Sequence, residues 1–362
     1  MSGQDLQHAG TDREINVDQE NENLLTEIEQ LCSRTNRSVE NILLIGKVGA
    51  GKSSLINTIG KAFSGKYISR AEAGKGSSSS KTKTLGRFES VGVAEDDIID
   101  GRRRVKVILP RLPTVYDFPG LEDTDDKRLQ ELLELVLGGY IPPGKSLGAL
   151  KQLQKEYRLG SLKESIFTDS RQEWKITTIL FVHSCREPAP KKLIACLHEV
   201  LTKADPKSAQ LLYSGNVHVV MTKYDLVKRQ HEYDSENSET ITEDDYMAIE
   251  KEIVQLFSID GNRNDHLTRW TSYSDSINPE CHNPAIEHCA LKFIKLIMTP
   301  GTAPDVDMVP VLTIKSKIDM AIRAWYRNNS CMSTQIIFMV IVFCLLPFFT
   351  YLLNKGNGKT SV

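Results

Sequence analysis

The segment GKVGAGKSS, Gly46 to Ser54, has the residue types and spacing to hold phosphate. Its G-x-x-x-x-G-K-S pattern combines small residues, an ammonium and a hydroxyl. Gly46, Gly49 and Gly51 let the backbone turn inward, so that N–H groups from this stretch, through Ala50 to Ser54, surround phosphate oxygens. Lys52 suits the charge at the β and γ positions, and Ser53 offers a hydroxyl to Mg2+ at a helix start, where the dipole also favours anions. Further along, VYDFPG supplies Asp117, whose carboxylate reaches Mg2+ usually through water, and Gly120, whose backbone N–H is expected to meet a γ-phosphate. Taken alone, D-x-x-G is most often a plain turn. Its place behind the first loop is what gives it meaning.

A phosphate cradle does not choose a base. TKYD, Thr222 to Asp225, has the N/T-K-x-D form that reads guanine. Asp225 would accept two charge-assisted hydrogen bonds from the N1–H and N2 amino groups, with the stem of Lys223 over the ring and Thr222 opening the motif. Adenine offers no such pair of donors and leaves the carboxylate unpaired. RWTSYSD then occupies the place of a loop whose backbone meets guanine O6, which makes Thr271, Ser272 and Tyr273 base contacts. Within GKGSSSSKTKTLGRFE, Thr82 and Thr84 are both candidates to close over Mg2+ when γ-phosphate is present, Thr82 being preferred. The ligands read from these motifs are GTP or GDP with Mg2+.

Positioning these groups takes strands that end at the loops. NILLIG is a continuous apolar run of buried-strand type ahead of the phosphate loop, and a helix through Leu55 and Ile59 follows it. Strands are expected near Val105–Leu109 and Thr114–Phe118, then a helix with Leu129, Leu132, Leu133 and Val136 on one face. A strand at Ile176–Val182, a helix carrying Leu193, Ile194, Leu197 and Leu201, and a strand at Asn216–Met221 come next. A helix near Met247–Phe257, a short strand near Leu267–Thr271 and a helix at Ile286–Ile297 complete the body. Apolar strands alternating with helices predict a mainly parallel sheet covered on both faces, and together with the phosphate and guanine motifs this is expected to be a three-layer α/β P-loop GTPase fold.

The 362 residues, 40% hydrophobic and 25% charged, are ordinary globular composition. A formal net charge of -2, with no interleaving of aromatic and basic residues, argues against nucleic acid as a partner. The scattered cysteines and the lack of an apolar N-terminal run predict a reducing, cytosolic setting for the body. The sequence divides into a polar acidic leader over 1–38, a nucleotide domain over 39–299, a linker and amphipathic helix over 300–335, an apolar span over 336–353 and a short tail over 354–362. One short helix is expected in the leader, with Leu24, Leu25, Ile28 and Leu31 on one side.

No charged residue interrupts Ile336–Leu353. As a helix it rises roughly 27 Å, enough for one membrane crossing. Arg323 and Arg327 precede it, and Lys355 and Lys359 follow it, which suits membrane flanks. So short a tail implies insertion after synthesis: a single-pass tail anchor with the nucleotide domain in the cytosol, on the endoplasmic reticulum or the mitochondrial outer membrane. Val311, Ile314, Ile318, Ile322 and Trp325 form a stripe at helical spacing ahead of the span, read as packing against the body in preference to a membrane surface.

From Asn41 to Met298 the wording resembles the interferon-induced protein 44 family of GTPase-like proteins, in IGKVGAGKSS, YDFPGLED, LGGYIPPG, VHVVMTKYD and TSYSDS. The resemblance implies a guanine-nucleotide-binding domain in innate immune or antiviral responses. The apolar span departs from that family and is similar to the membrane tails of immunity-associated GTPases. Ras-like enzymes place a water-orienting glutamine after D-x-x-G, whereas Leu121 stands there in this chain. GTP hydrolysis with a low intrinsic rate is therefore expected, rising with a second copy of the chain or a protein effector. The alternatives are a nucleotide-holding scaffold without turnover and, opposed by Thr222–Asp225, a P-loop ATPase or kinase.

Three other stretches are read as structural. The cysteines and histidines of CHNPAIEHC fit no common zinc spacing, His183 and Cys185 are strand-end packing, and GRRRVK at Gly101–Lys106 is a solvated hairpin.

Overall fold

Asn41–Ile45 has all five residues buried and forms β1, next to the middle of a six-stranded sheet. The structure is a computed structural model that describes residues 3–34, 38–72, 83–203, 213, 215–228, 240–259, 266–273 and 277–299. The chain divides into two units, Met1–Asp305 and Val306–Val362. The second lies wholly outside the described residues, so the expected amphipathic stripe and the Ile336–Leu353 span do too. Among the described residues, no helix is long and apolar enough to cross a membrane.

In chain order the elements are α1 (Gly3–Cys32), β1, α2 (Lys52–Ser64), β2 (Gly86–Phe88), α3 (Arg103–Ile108), β3 (Thr114–Asp117), α4 (Lys127–Leu137), α5 (Leu147–Glu156), α6 (Leu162–Ser165) and β4 (Thr178–Ser184). They continue with α7 (Lys191–Leu201), β5 (Asn216–Thr222), β6 (Val227–Lys228), β7 (Ile241–Thr242), α8 (Glu243–Leu256), β8 (Leu267–Arg269) and α9 (Pro284–Met298). The sheet runs β2-β3-β1-β4-β5-β8. β1 is parallel to both β3 and β4, with Leu43 opposite Tyr116 on one side and Ile179 on the other. β5 continues the parallel pairing to β8, and only β2 is antiparallel, with Gly86 opposite Asp117.

Alternate residues of each central strand face opposite layers, as the pleat requires. Ile42, Leu44, Leu180, Val182 and Val220 join a core with α1, α2 and α9. Leu43, Ile45, Ile179, Phe181, Val219 and Met221 join a separate core with α4, α7 and α8. Several helix starts are capped by the short polar residue that the sequence places there: Asp126 on α4, Ser146 on α5, Thr242 on α8 and Asn283 on α9. α2 has no side-chain cap, and Gly51 enters it at φ 91°.

Three expectations are corrected. The strand at Val105–Leu109 and the hairpin at Gly101–Lys106 are instead a 3-10 turn at Asp100–Arg102, the helix α3 and a second 3-10 turn at Leu109–Arg111. Val105 and Ile108, three apart, are the buried pair, while Val107 is 73% exposed. Burial therefore follows a helical period and not the alternation of a strand. The edge strand beside β3 is β2. In the leader, the helix is longer than expected, yet Leu24, Leu25, Ile28 and Leu31 are its buried face, against α9 and α3.

Candidate functional site

The loop between β1 and α2 is held on three sides. Gly46 carries no side chain because an added Cβ would stand 2.1 Å from the carbonyl oxygen of Val182 on β4. Gly49 and Gly51 take left-handed backbone angles, φ 76° and 91°. The D-x-x-G segment pairs directly with the loop: the Leu121 amide donates to the Gly46 carbonyl at 3.1 Å, and the Val48 amide donates to the Leu121 carbonyl at 3.2 Å. A Cβ on Gly120 would lie 2.7 Å from Val48 Cα, so the two loops meet backbone to backbone.

Lys52 and Ser53 begin α2 with their functional groups at this junction. Lys52 is buried, and its ammonium donates to the carbonyls of Gly46 at 3.2 Å and Lys47 at 3.1 Å. Burial pulls its pKa down, against the attraction of the Asp117 carboxylate. The Ser53 hydroxyl donates to Asp117 Oδ2 at 3.2 Å. Ser53 and Asp117 thus put a hydroxyl and a carboxylate side by side, a hard-oxygen donor set that fits Mg2+. Ala50 and Ser54 lie within the same loop and first turn.

The structure brings the TKYD loop to the phosphate loop through Thr222. Its side chain is 1% exposed, and its hydroxyl lies 2.6 Å from the Ala50 carbonyl and 3.1 Å from the His183 carbonyl. The Thr222 hydroxyl therefore braces the phosphate loop. Lys223 is left-handed, at φ 61°. Asp225 is exposed; desolvation by its surroundings raises its pKa, with its own backbone amide and Lys223 acting the other way.

Next to this loop runs the segment after β8. The Tyr224 amide donates to the Trp270 carbonyl at 3.1 Å, and the Trp270 indole donates to the Ser272 hydroxyl at 2.9 Å. Thr271 and Ser272 are half-buried beside it. Tyr273 is 1% exposed and turned into the domain. Its amide donates to Thr58 Oγ1 at 3.0 Å, its hydroxyl sits 3.4 Å from Glu287 Oε1, and Lys61 lies over its ring at 3.9 Å. Of the six residues read for guanine, Asp225 is exposed, Lys223, Thr271 and Ser272 are half-buried, and Thr222 and Tyr273 are buried.

Thr82 lies outside the described residues. Thr84 is exposed and held in an isolated bridge to Ser146. Sequence reasoning missed Asp123, whose carboxylate accepts the Leu193 amide at 2.9 Å and so caps the first turn of α7. It also reduced Cys185 to packing. The Cys185 thiol donates to the Lys223 carbonyl at 3.1 Å, under the TKYD loop, and burial pushes its pKa up to about 11. Asp123 lies three residues past Gly120 and Cys185 directly follows β4, and these positions are the local signal that could have raised them.

Together these parts form a strand-loop-helix phosphate site joined to a second loop in a mixed α/β fold with a mostly parallel sheet. No family model matches the chain, and no curated protein matches it in sequence. Among solved structures, a dimerization-deficient mutant of Toc33 from Arabidopsis thaliana is similar at 12% identity and a TM-score of 0.36, over 80% of this chain and 92% of that one. Toc33 from Arabidopsis thaliana in complex with Mg2+ and GMPPNP is similar at 11% identity and a TM-score of 0.35, over 81% and 92%. The fold assignment rests on the sheet order and the Gly46–Ser53 loop.

Proposed function

We propose that this chain binds guanine nucleotide with Mg2+ and acts as a slowly hydrolysing switch held at a membrane. The observation that carries the nucleotide part is the bond from Thr222 to Ala50, which joins a phosphate loop to a loop ending in the exposed carboxylate of Asp225. Lys52 neutralises phosphate charge, while Ser53 and Asp117 hold Mg2+, which when bound supplies charge neutralisation at the phosphates. Asp225 accepts the two guanine donors. Leu121 supports slow turnover: it is buried in the α4 and α7 core, and its backbone is occupied with the phosphate loop, so its side chain orients no water.

Membrane attachment rests on the Ile336–Leu353 sequence, with the nucleotide domain on the cytosolic side, and an innate immune role rests on the motif resemblance to the interferon-induced protein 44 family. The second reading, a nucleotide-holding scaffold without turnover, is favoured by that same Leu121. Calorimetry with Mg-GTP, Mg-ATP and Mg-xanthosine triphosphate is the decisive experiment, on wild type and Asp225→Asn. GTP is expected to bind best to wild type and xanthosine triphosphate best to the variant, because an amide donates where xanthine presents a carbonyl. Equal binding of ATP and GTP by wild type ends the guanine reading. Single-turnover hydrolysis separates switch from scaffold, and carbonate extraction of full-length protein with protease access to its domain tests the anchor.

A further inference from the structure

Tyr224 stands between Lys223 and Asp225, and its side chain is built into a cluster behind the loop. The Arg269 guanidinium lies 5.5 Å from the Tyr224 ring centroid and 5.3 Å from that of Tyr246. The two tyrosine rings meet edge to face, with centroids 5.1 Å apart. Arg269, the last residue of β8, is fixed in turn by Glu250 of α8: its Nε donates to Oε1 at 3.0 Å and its Nη2 to Oε2 at 3.1 Å. The Tyr246 hydroxyl donates to the same Oε1 at 2.9 Å. Glu250 is 2% exposed.

A buried carboxylate gripping a guanidinium in a two-point fork sets both position and plane. Aromatic faces on that guanidinium add attraction without adding freedom. The hydrogen bond to Glu250 holds Arg269 charged, with its pKa raised. Tyr246 and Glu250, one turn apart on α8, share the face that meets β8. The arrangement bears on a strained backbone, because Lys223 sits at φ 61°, a conformation that ordinary side chains resist.

We propose that Glu250, Arg269, Tyr246 and Tyr224 form a positioning clamp that fixes how the Lys223–Asp225 loop presents itself to the base, an inference that rests on the guanine reading above. None of the four touches the nucleotide. Arg269 and Glu250 lock the Tyr224 ring, the ring locks the residue between Lys223 and Asp225, and the Asp225 carboxylate is thereby held in the plane of the two guanine donors. Base discrimination then depends on α8 and β8, while the phosphate end depends on β1, α2 and Thr222.

The test uses the full chain in detergent and calorimetry with Mg-GTP, Mg-ATP and Mg-tripolyphosphate, on Tyr224→Ala, Arg269→Lys and Tyr224→Phe. Lysine keeps the charge beside Glu250 and loses the fork, which spares the fold an uncompensated buried carboxylate. In Tyr224→Ala and Arg269→Lys the ratio of GTP to ATP affinity is expected to fall about tenfold or more, with tripolyphosphate affinity within about twofold of wild type. Tyr224→Phe keeps the ring and is expected to keep the ratio. An unchanged ratio in both disruptive variants overturns the clamp while leaving the guanine reading intact. Parallel loss of all three ligands also overturns it, since the cluster would then support only the fold. A wild type without preference for GTP over ATP overturns the guanine reading and the clamp together.

Discussion

Thr222 Oγ1 lies 2.6 Å from the carbonyl oxygen of Ala50, across 172 residues of chain. This bond makes the first residue of the TKYD motif part of the phosphate loop's support. Thr222→Val keeps the shape and removes the hydroxyl, leaving buried carbonyls short of a donor at a cost of about 1–3 kcal/mol. Affinity for Mg-GTP and Mg-ATP is expected to fall together, with a lower melting temperature. A loss confined to GTP would show that Thr222 reads the base after all.

Gly120 faces the phosphate loop at a distance that admits no side chain, with Val48 Cα 2.7 Å from its would-be Cβ. Gly120→Ala must push the two loops apart, at about 1–3 kcal/mol in stability. The preference for a GTP analogue over GDP is expected to disappear if the D-x-x-G motif has the γ-phosphate role read from the sequence. Calorimetry with both nucleotides checks this, and a preserved preference removes Gly120 from that role.

The leader is expected to matter for stability. Ile28 on α1 is fully buried between α9 and its neighbours, and Asn21 Nδ2 donates to the Pro284 carbonyl at 3.0 Å. Ile28→Ala removes a core side chain and is expected to cost about 2–5 kcal/mol. Denaturant titration measures it. A change under about 0.5 kcal/mol, the size of an ordinary surface substitution, would show that α1 is not docked in solution.

Burial separates the cysteines. Cys185 and Cys196 are buried, their thiols pushed up to about 11, and Cys281 is exposed. The thiolate is the reacting form, so iodoacetamide at neutral pH is expected to label Cys281 in the folded protein and the other two only after unfolding. Peptide mass spectrometry reads the order. Labelling of Cys185 as fast as Cys281 would contradict its donation to the Lys223 carbonyl.

β1, β4 and β5 were legible because a strand buried on both faces is a continuous apolar run. The Gly46–Ser53 loop was legible for a related reason, since its glycines and Lys52 recur at a spacing that phosphate geometry demands. α3 was not, because Val105, Val107 and Leu109 also alternate, and only the neighbours decide which of two periods is buried. Motif spacing assigned Thr222 and Tyr273 to two loops but said nothing of where their side chains point. Glu250 and Arg269 meet across two elements, and no local pattern announces a pair that only the packing of α8 on β8 brings together.

The sheet acts as a wall between two independent halves of the interior. Leu43 and Leu44 are chain neighbours, yet one belongs to the α4, α7 and α8 side and the other to the α1, α2 and α9 side. Substitutions confined to opposite sides share backbone but no packing partner, which is the condition under which their effects combine independently. One half of the interior could accordingly drift or be redesigned while the other keeps its own composition.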